Sequence, residues 1–337
     1  MNPLRRLILI LALVLAIFGA VVYAAAQPQL TVHFLDVGQA DSILIQTPNG
    51  ENMLIDAGNN GDEDFILSYL ERLHINRLAV VVGTHPHEDH IGSMDAVIEG
   101  FEIGRVYLPK VTTTTRTFAS LLAAIKDKGL RITTAKAGMS IELDSALSVE
   151  ILAPTNESYE ELNDYSVVVK LTYDRVAFLF TGDAETSSEN AMLVQGTDLQ
   201  ADLIKIAHHG SDTSTSRQFL ARVNPKFAVI SVGVDNRYAH PGRETLLRLN
   251  ESEVEVYRTD LLGTIIAVSD GKTIEINQEP VALEKYSPSQ TIVYITQTGS
   301  KYHQAGCRFL GKSRILIPLS EAKQKGYTPC GVCHPPQ

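Results

Sequence analysis

Apolar positions in this chain cluster into short, dense runs. Residues 30–37, 42–47, 53–55, 78–82, 148–152, 166–173, 176–180, 203–206 and 227–232 are rich in Val, Ile, Leu and Phe and read as strands. Several are apolar at consecutive positions, the pattern of strands covered on both faces. Between them, residues 63–73, 91–98, 116–128, 184–194, 214–223 and 243–249 show helical spacing, some opening on Asp, Ser or Thr caps. Doubly buried strands alternating with helices predict an α/β fold in which sheets are sandwiched by helices. Two more β-like runs, 264–268 and 273–276, joined by the turn Asp270-Gly271, close a body spanning about residues 30–278. Residues 279–291 carry two prolines, two serines and no period and read as a linker, leaving 292–337 as a small separate module.

The first residues differ from all of this. Arg5 and Arg6 precede an unbroken apolar run, 7–22, followed by Ala24-Ala25-Ala26. A basic start, an apolar core and a small-residue cleavage site describe a signal peptide, while about 20 apolar residues also suffice to span a membrane. Residues 1–26 are therefore expected to be a signal peptide or an N-terminal membrane anchor. Either way, the rest of the chain would be extracellular or held on the outer face of the cytoplasmic membrane.

The 337 residues are 44% hydrophobic, too apolar for a disordered chain and sufficient for one large core. Asp plus Glu number 39 against 29 Lys plus Arg, a net charge of −10 that excludes a general basic sheath for duplex DNA. Charge is unevenly spread, however. Residues 286–337 hold Lys301, Arg308, Lys312, Arg314, Lys323 and Lys325 against Glu321, so this piece is +5 and the remainder −15.

Chemistry concentrates first at Thr84-His85-Pro86-His87-Glu88-Asp89-His90, directly after a predicted strand. Imidazole and carboxylate are ligands for zinc, manganese or iron, and a loop leaving a buried strand can aim alternate residues at two neighbouring ions. His85 and His87 would face one ion, Asp89 and His90 the other. Thr181-Gly182-Asp183 ends another apolar run and places a carboxylate where it could bridge two cations, its competing role being a helix N-cap. Ala207-His208-His209-Gly210-Ser211 ends a third run, and there one histidine can bind metal while its neighbour faces substrate.

Together with Phe34-Leu35-Asp36-Val37-Gly38-Gln39-Ala40-Asp41, Leu54-Ile55-Asp56-Ala57-Gly58, Asn163-Asp164-Tyr165-Ser166 and Tyr238-Ala239-His240-Pro241, these motifs resemble the metallo-β-lactamase-fold hydrolases. In detail they are similar to the subgroup that includes the nuclease-like domain of the DNA-uptake protein ComEC. The resemblance implies an αββα sandwich with metals at one edge of the two sheets. It assigns His85, His87, Asp89, His90, Asp183 and His208 as ligands of two divalent ions, zinc or manganese. Asp89, Asp183, His209 and His240 would be catalytic, and Asp56, Asn163 and Ser166 would support the ligands. Two positions depart from the pattern: Asn163 or Asp164 stands where many members place a third histidine for the first ion, and Ala40 replaces a usual glycine.

Such a pair of ions, about 3.5 to 4 Å apart, can activate water and clamp both oxygens of an in-line displacement, which suits phosphodiesters. His209 and His240 would then bind a phosphate oxygen or protonate the leaving group, with Lys205 or Arg237 adding charge. The expectation is an exported phosphodiesterase or nuclease with extracellular DNA as its partner. Competing readings are a cell-envelope phosphoesterase, acting on a teichoic acid or phosphocholine ester, and a non-catalytic DNA-uptake component that kept the fold. No protein partner is read from the sequence.

All three cysteines fall in the last 31 residues. His303, Cys307, Cys330 and Cys333 have the spacing of a structural zinc site, which would staple a module too small for a large core; a disulfide is the alternative. This stretch also looks like the small metal-binding module of the Ada DNA-repair protein. Its basic charge suits phosphate backbone, with Tyr302, Phe309 and Tyr327 available for stacking.

Overall fold

The computed structural model describes residues 29–283, 291–310 and 313–337. The expected signal peptide or anchor and most of the linker lie outside the described residues. Among those described, no helix is long and apolar enough to cross a membrane.

The apolar runs become strands β1 (Leu30–Phe34), β2 (Ile43–Gln46), β3 (Asn52–Ile55), β4 (Arg77–Val82), β5 (Glu102–Pro109) and β6 (Ile132–Ala135) of one sheet. It is completed by β14 (Ile265–Ser269) and β15 (Ile274–Ile276), in the order β15-β14-β1-β2-β3-β4-β5-β6. A second sheet is made of β7 (Met139–Ser140), β8 (Leu147–Ala153), β9 (Val168–Tyr173), β10 (Val176–Phe180), β11 (Leu203–Lys205), β12 (Phe227–Ile230) and β13 (Glu255–Arg258), ordered β13-β12-β11-β10-β9-β8-β7.

The central core lies between the sheets, where Phe34, Val80 and Val82 pack with Phe178, Phe180 and Val229. The alternate residues of the same strands face outward into two further cores. Leu54 and Val81 meet Ile66, Leu70, Val97 and Phe118 on helices Glu63–Arg72, Met94–Gly100 and Arg116–Asp127. Leu179, Ile204 and Ala228 meet Met192, Phe219 and Leu246 on helices Thr186–Gln195, Arg217–Val223 and Arg243–Glu251. Both faces of each inner strand are therefore buried, which explains the uninterrupted apolar runs and yields the expected αββα sandwich. Each fully buried Leu, Ile or Phe contributes about 1.5–3 kcal/mol.

Four strands of the two sheets carried too little apolar signal to be anticipated. β6, β7 and β13 are edge strands, short and mixed with polar residues, and β5 is interrupted by Gly104-Arg105. Gly104 is required by packing, because a Cβ there would stand 2.5 Å from the carbonyl oxygen of Ala79 on β4. The helix expected at 91–98 is instead split into Glu88–Ile91 and Met94–Gly100. Gly92 at the break presses against the backbone of Asn59.

Parallel pairing sets the position of the site. β3, β4 and β5 run parallel, as do β10, β11 and β12, with Ile55 opposite Val82, Phe180 opposite Lys205, and Lys205 opposite Val229. The segments that follow these residues therefore emerge at common sheet edges, where α/β folds bind ligands.

The body continues past residue 278: the Val281 amide donates to the carbonyl of Val256, and Leu283 is buried in the outer core. In the C-terminal module β16 (Ile292–Ile295) pairs antiparallel with β18 (Ile315–Pro318), and β17 (Lys301–Tyr302) pairs parallel with β19 (Thr328–Pro329). Its apolar centre is Val293, Ile295, Tyr302, Ile317 and Ala322. Tyr302 is thus core and unavailable for stacking, a correction to the expectation, and Tyr327 packs partly against it. Phe309 remains exposed, with the Arg308 guanidinium 5.0 Å from its ring centre.

Candidate metal centre

Asp56 follows β3 with a left-handed backbone (φ 59°) that turns its carboxylate toward the loop after β4. One oxygen accepts from the Thr84 amide at 2.8 Å; the other accepts from the Thr84 hydroxyl at 2.7 Å and lies 2.8 Å from His90 Nδ1. This fixes the loop and leaves His90 Nε2 facing Asp183 Oδ2 at 3.2 Å. His85 Nε2 lies 2.9 Å from His87 Nδ1, with Ser166 Oγ 3.3 Å from His85 Nδ1. Ser166 also accepts from the Asp183 amide at 3.0 Å, linking the two walls of the site.

Asp183 does not cap the following helix. Asp164 does, one of its oxygens accepting from the amides of Glu185 (3.2 Å) and Ser188 (2.9 Å). Asp183 is thereby free to face the loop histidines. Gly182 allows the close approach, since a Cβ there would stand 2.9 Å from the Cβ of Thr84.

Of the histidine pair after β11, it is His209 that joins the candidate cluster. Asp89, His90, Asp183 and His209 each bring one ligand atom to within 4.8 Å of the others. His209 Nε2 is 3.3 Å from Asp89 Oδ2 and 3.7 Å from Asp183 Oδ2, while its Nδ1 is 3.0 Å from the Ser231 carbonyl. His208, expected as the ligand, stands farther from Asp183 (3.9 Å) and binds Glu185 Oε1 through Nδ1 at 2.9 Å. Both residues have φ 51°, so the chain coils here and strand alternation does not decide which ring turns inward.

His85 and His87 form a second, less complete group. Asn163 Nδ2 is 3.4 Å from His208 Nε2. Asp183 Oδ1 and Asn163 Oδ1 are buried acceptors without a hydrogen-bond partner among the described residues. Acceptors of this kind, beside imidazoles, fit a divalent cation of the zinc or manganese type.

Electrostatics agree with that fit. Burial alone would lower the pKa of His90, but the Asp183, Asp56 and Asp89 carboxylates outweigh it and hold the ring well above its ordinary value. The converging carboxylates demand a positive charge, and a divalent cation would supply it and displace the proton. Burial drives His85 well below its ordinary value, keeping it in the neutral form that ligates metal. Burial, reinforced by His208 and His209, takes His240 down to about 4. This favours the neutral, hydrogen-bonding form of His240, the form suited to contacting a phosphate oxygen, one of the two roles expected for it.

Lys205 is fully buried beneath the ligands, so it does not add charge on the substrate side as expected. Its Nζ is ion-paired with Asp41, donates to the Gly182 carbonyl at 3.1 Å and lies 3.9 Å from Asp183 Oδ1. Asp41 Oδ1 lies 3.6 Å from His209 Nδ1. The pattern of the sequence points neither to this pair nor to Glu185, although the Asp36 to Asp41 run and the Lys ahead of the histidine pair are visible in it. Above the ligands opens a cavity of about 620 Å³, walled by Gln39, Asn163, His208, Tyr238 and His240, with Arg237 exposed at its rim.

In the C-terminal module His303, Cys307, Cys330 and Cys333 also converge within 4.8 Å, and none of the cysteines is in a disulfide. His303 Nδ1 lies 3.2 Å from Cys307 Sγ and 3.8 Å from Cys333 Sγ. Three thiols and one imidazole are a donor set for zinc.

The chain is similar to known proteins. The family model of the Metallo-beta-lactamase superfamily matches residues 35–234. ComE operon protein 3 of Bacillus subtilis (strain 168) is 28% identical over 261 residues, covering 72% of this chain and 34% of its own length. Recombination protein 2 of Haemophilus influenzae is 28% identical over 268 residues, covering 78% and 31%. The chain thus spans about a third of the length of these curated relatives. Among solved structures, CmlA, a diiron β-hydroxylase from Streptomyces venezuelae, aligns over 68% of this chain and 52% of its own with a TM-score of 0.45 at 14% identity.

Proposed function

Starting from the fact that the chain belongs to the metallo-beta-lactamase superfamily, we propose that it is an exported metal-dependent phosphodiesterase acting on extracellular DNA. The observation that carries this reading is the four-residue cluster Asp89, His90, Asp183 and His209 at the base of an open, histidine-walled cavity. Divalent metal bound there would supply Lewis acidity, lowering the pKa of water and neutralising the charge of a phosphate under attack.

The chain's own residues divide the remaining work. Asp56 and Ser166 hold the ligand rings in place, and burial keeps His85 neutral. His208 lines the cavity while Glu185 anchors its Nδ1, which positions the ring to contact a leaving oxygen. His240, kept neutral, can accept or donate one hydrogen bond to substrate beside Gln39, whose Nε2 is 3.5 Å from its Nδ1. The fold alone would equally host lactams and thioesters. DNA is favoured by the basic C-terminal module with its exposed Arg308–Phe309 pair, and by the relative named for recombination.

The test is a hydrolysis screen of single-stranded and duplex DNA, RNA, bis-p-nitrophenyl phosphate and a β-lactam, with Mn²⁺ or Zn²⁺. Phosphodiester cleavage by the wild type is expected to fall to background in Asp183→Ala. Cleavage of the lactam alone, or equal activity in the variant, would overturn the reading.

A further inference from the structure

Beyond the ligands, a row of flat groups leads from the metal cluster to solvent. The His209 and His240 rings lie 26° from parallel with centres 6.5 Å apart. His240 and Tyr238 are 23° from parallel at 5.6 Å, and the Arg237 guanidinium lies 4.8 Å from the Tyr238 ring centre. Tyr238 is 50% exposed. Phe65, Tyr238 and Phe309 are the aromatic side chains most exposed among the described residues, and of these Tyr238 lines the metal cavity.

The loop that carries this ring is held in place. Asn236 accepts through Oδ1 from the amides of Tyr238 (3.2 Å) and His240 (3.0 Å). Its Nδ2 donates to the carbonyls of Gly233 (3.0 Å) and His240 (2.7 Å). Arg237 donates to the Tyr238 hydroxyl at 2.6 Å. A large apolar face fixed half in water beside a reactive centre is a preorganised binding surface, because ordering it costs little further entropy when a ligand arrives.

The chemistry of that surface selects its occupant. A quaternary ammonium group would be repelled by the guanidinium already seated at the ring, and a polyol phosphate has no planar face to offer. A nucleobase is uncharged, and both aromatic rings and guanidinium planes stack on it, each stacked base being worth a substantial fraction of binding. We infer that Arg237, Tyr238 and His240 form the subsite for a nucleobase next to the phosphodiester that is cut. This inference rests on the phosphodiesterase reading and adds to it a defined place for one base of the DNA strand. A base lying flat on Tyr238 has left its own stack, so single strands are the expected form.

The experiment compares two single-stranded phosphorothioate oligonucleotides of equal length, one with bases and one abasic, binding to the metal-loaded full chain by fluorescence anisotropy. Phosphorothioate links resist hydrolysis, so binding is read apart from turnover. The wild type is expected to prefer the base-bearing strand by about ten- to a hundredfold. Tyr238→Ala is expected to shrink that preference several-fold, and Tyr238→Trp, which keeps a flat ring, to retain it. Equal binding of both strands by the wild type, an undiminished preference in Tyr238→Ala, or its loss in Tyr238→Trp would each overturn the inference. Hydrolysis of bis-p-nitrophenyl phosphate without base preference would sink the subsite alone. Base preference without hydrolysis of any phosphodiester would sink the activity alone.

Discussion

Asp89 and His209 meet across 120 residues of sequence, whereas His303 and Cys333, the outer members of the C-terminal cluster, are 30 residues apart. The two sites also differ in what surrounds them. The body's candidate ligands hang from the ends of strands that three apolar cores already hold in place. The module has only a handful of buried apolar side chains behind its four ligands. In the first case the fold builds the metal site; in the second, the metal site would build the fold.

That contrast can be broken most forcefully at the module. Removing zinc with a chelator, or replacing Cys330 by Ser, withdraws a binding energy that in small zinc modules is about 10–16 kcal/mol. Residues 291–337 should then become protease-sensitive while the body keeps its melting transition, as read by limited proteolysis and calorimetry. Joint melting of both parts would show that the module is held by the body instead.

A smaller effect is expected beneath the body's ligands. Lys205→Met leaves Asp41 buried without its partner and should destabilise the body by about 3–5 kcal/mol in denaturant unfolding. Adding Asp41→Asn should recover part of the loss. If the double variant is as unstable as the sum of the singles, the pair does not act as a unit.

The smallest change sharpens the comparison. Asp56→Asn keeps the shape of the body but weakens the carboxylate that orients His90. Metal affinity at the body's site should fall by about 10- to 100-fold, measured calorimetrically, with folding retained. An unaltered affinity would mean that the backbone of the loop, not Asp56, positions the ring.

Much of the body's site is legible in the amino-acid sequence. The loop His85 to His90, Asp183 after an apolar run, and the His208–His209 pair each announce themselves because metal ligands in this fold follow the buried strands that aim them. The strands β5, β6, β7 and β13 are not legible, since edges and glycine breaks lack dense apolar runs. Nor is the role of Lys205, because a lysine inside a strand reads as charge for substrate until a buried partner 164 residues away is seen. Tyr302 likewise reads as a stacking platform until its burial is known.

The sequence alone therefore determined the class of the fold, the loops that carry the candidate ligands and the Cys/His spacing near the C-terminus, because burial periodicity and ligand spacing are local properties of the chain. Tertiary structure decided which histidine turns inward, that Asp164 caps the helix and frees Asp183, that Asp41 neutralises Lys205, and that Tyr238 stands open at the cavity rim. Each of those outcomes depends on contacts between segments distant in sequence, and on backbone turns at single residues, which no pattern of polar and apolar positions records.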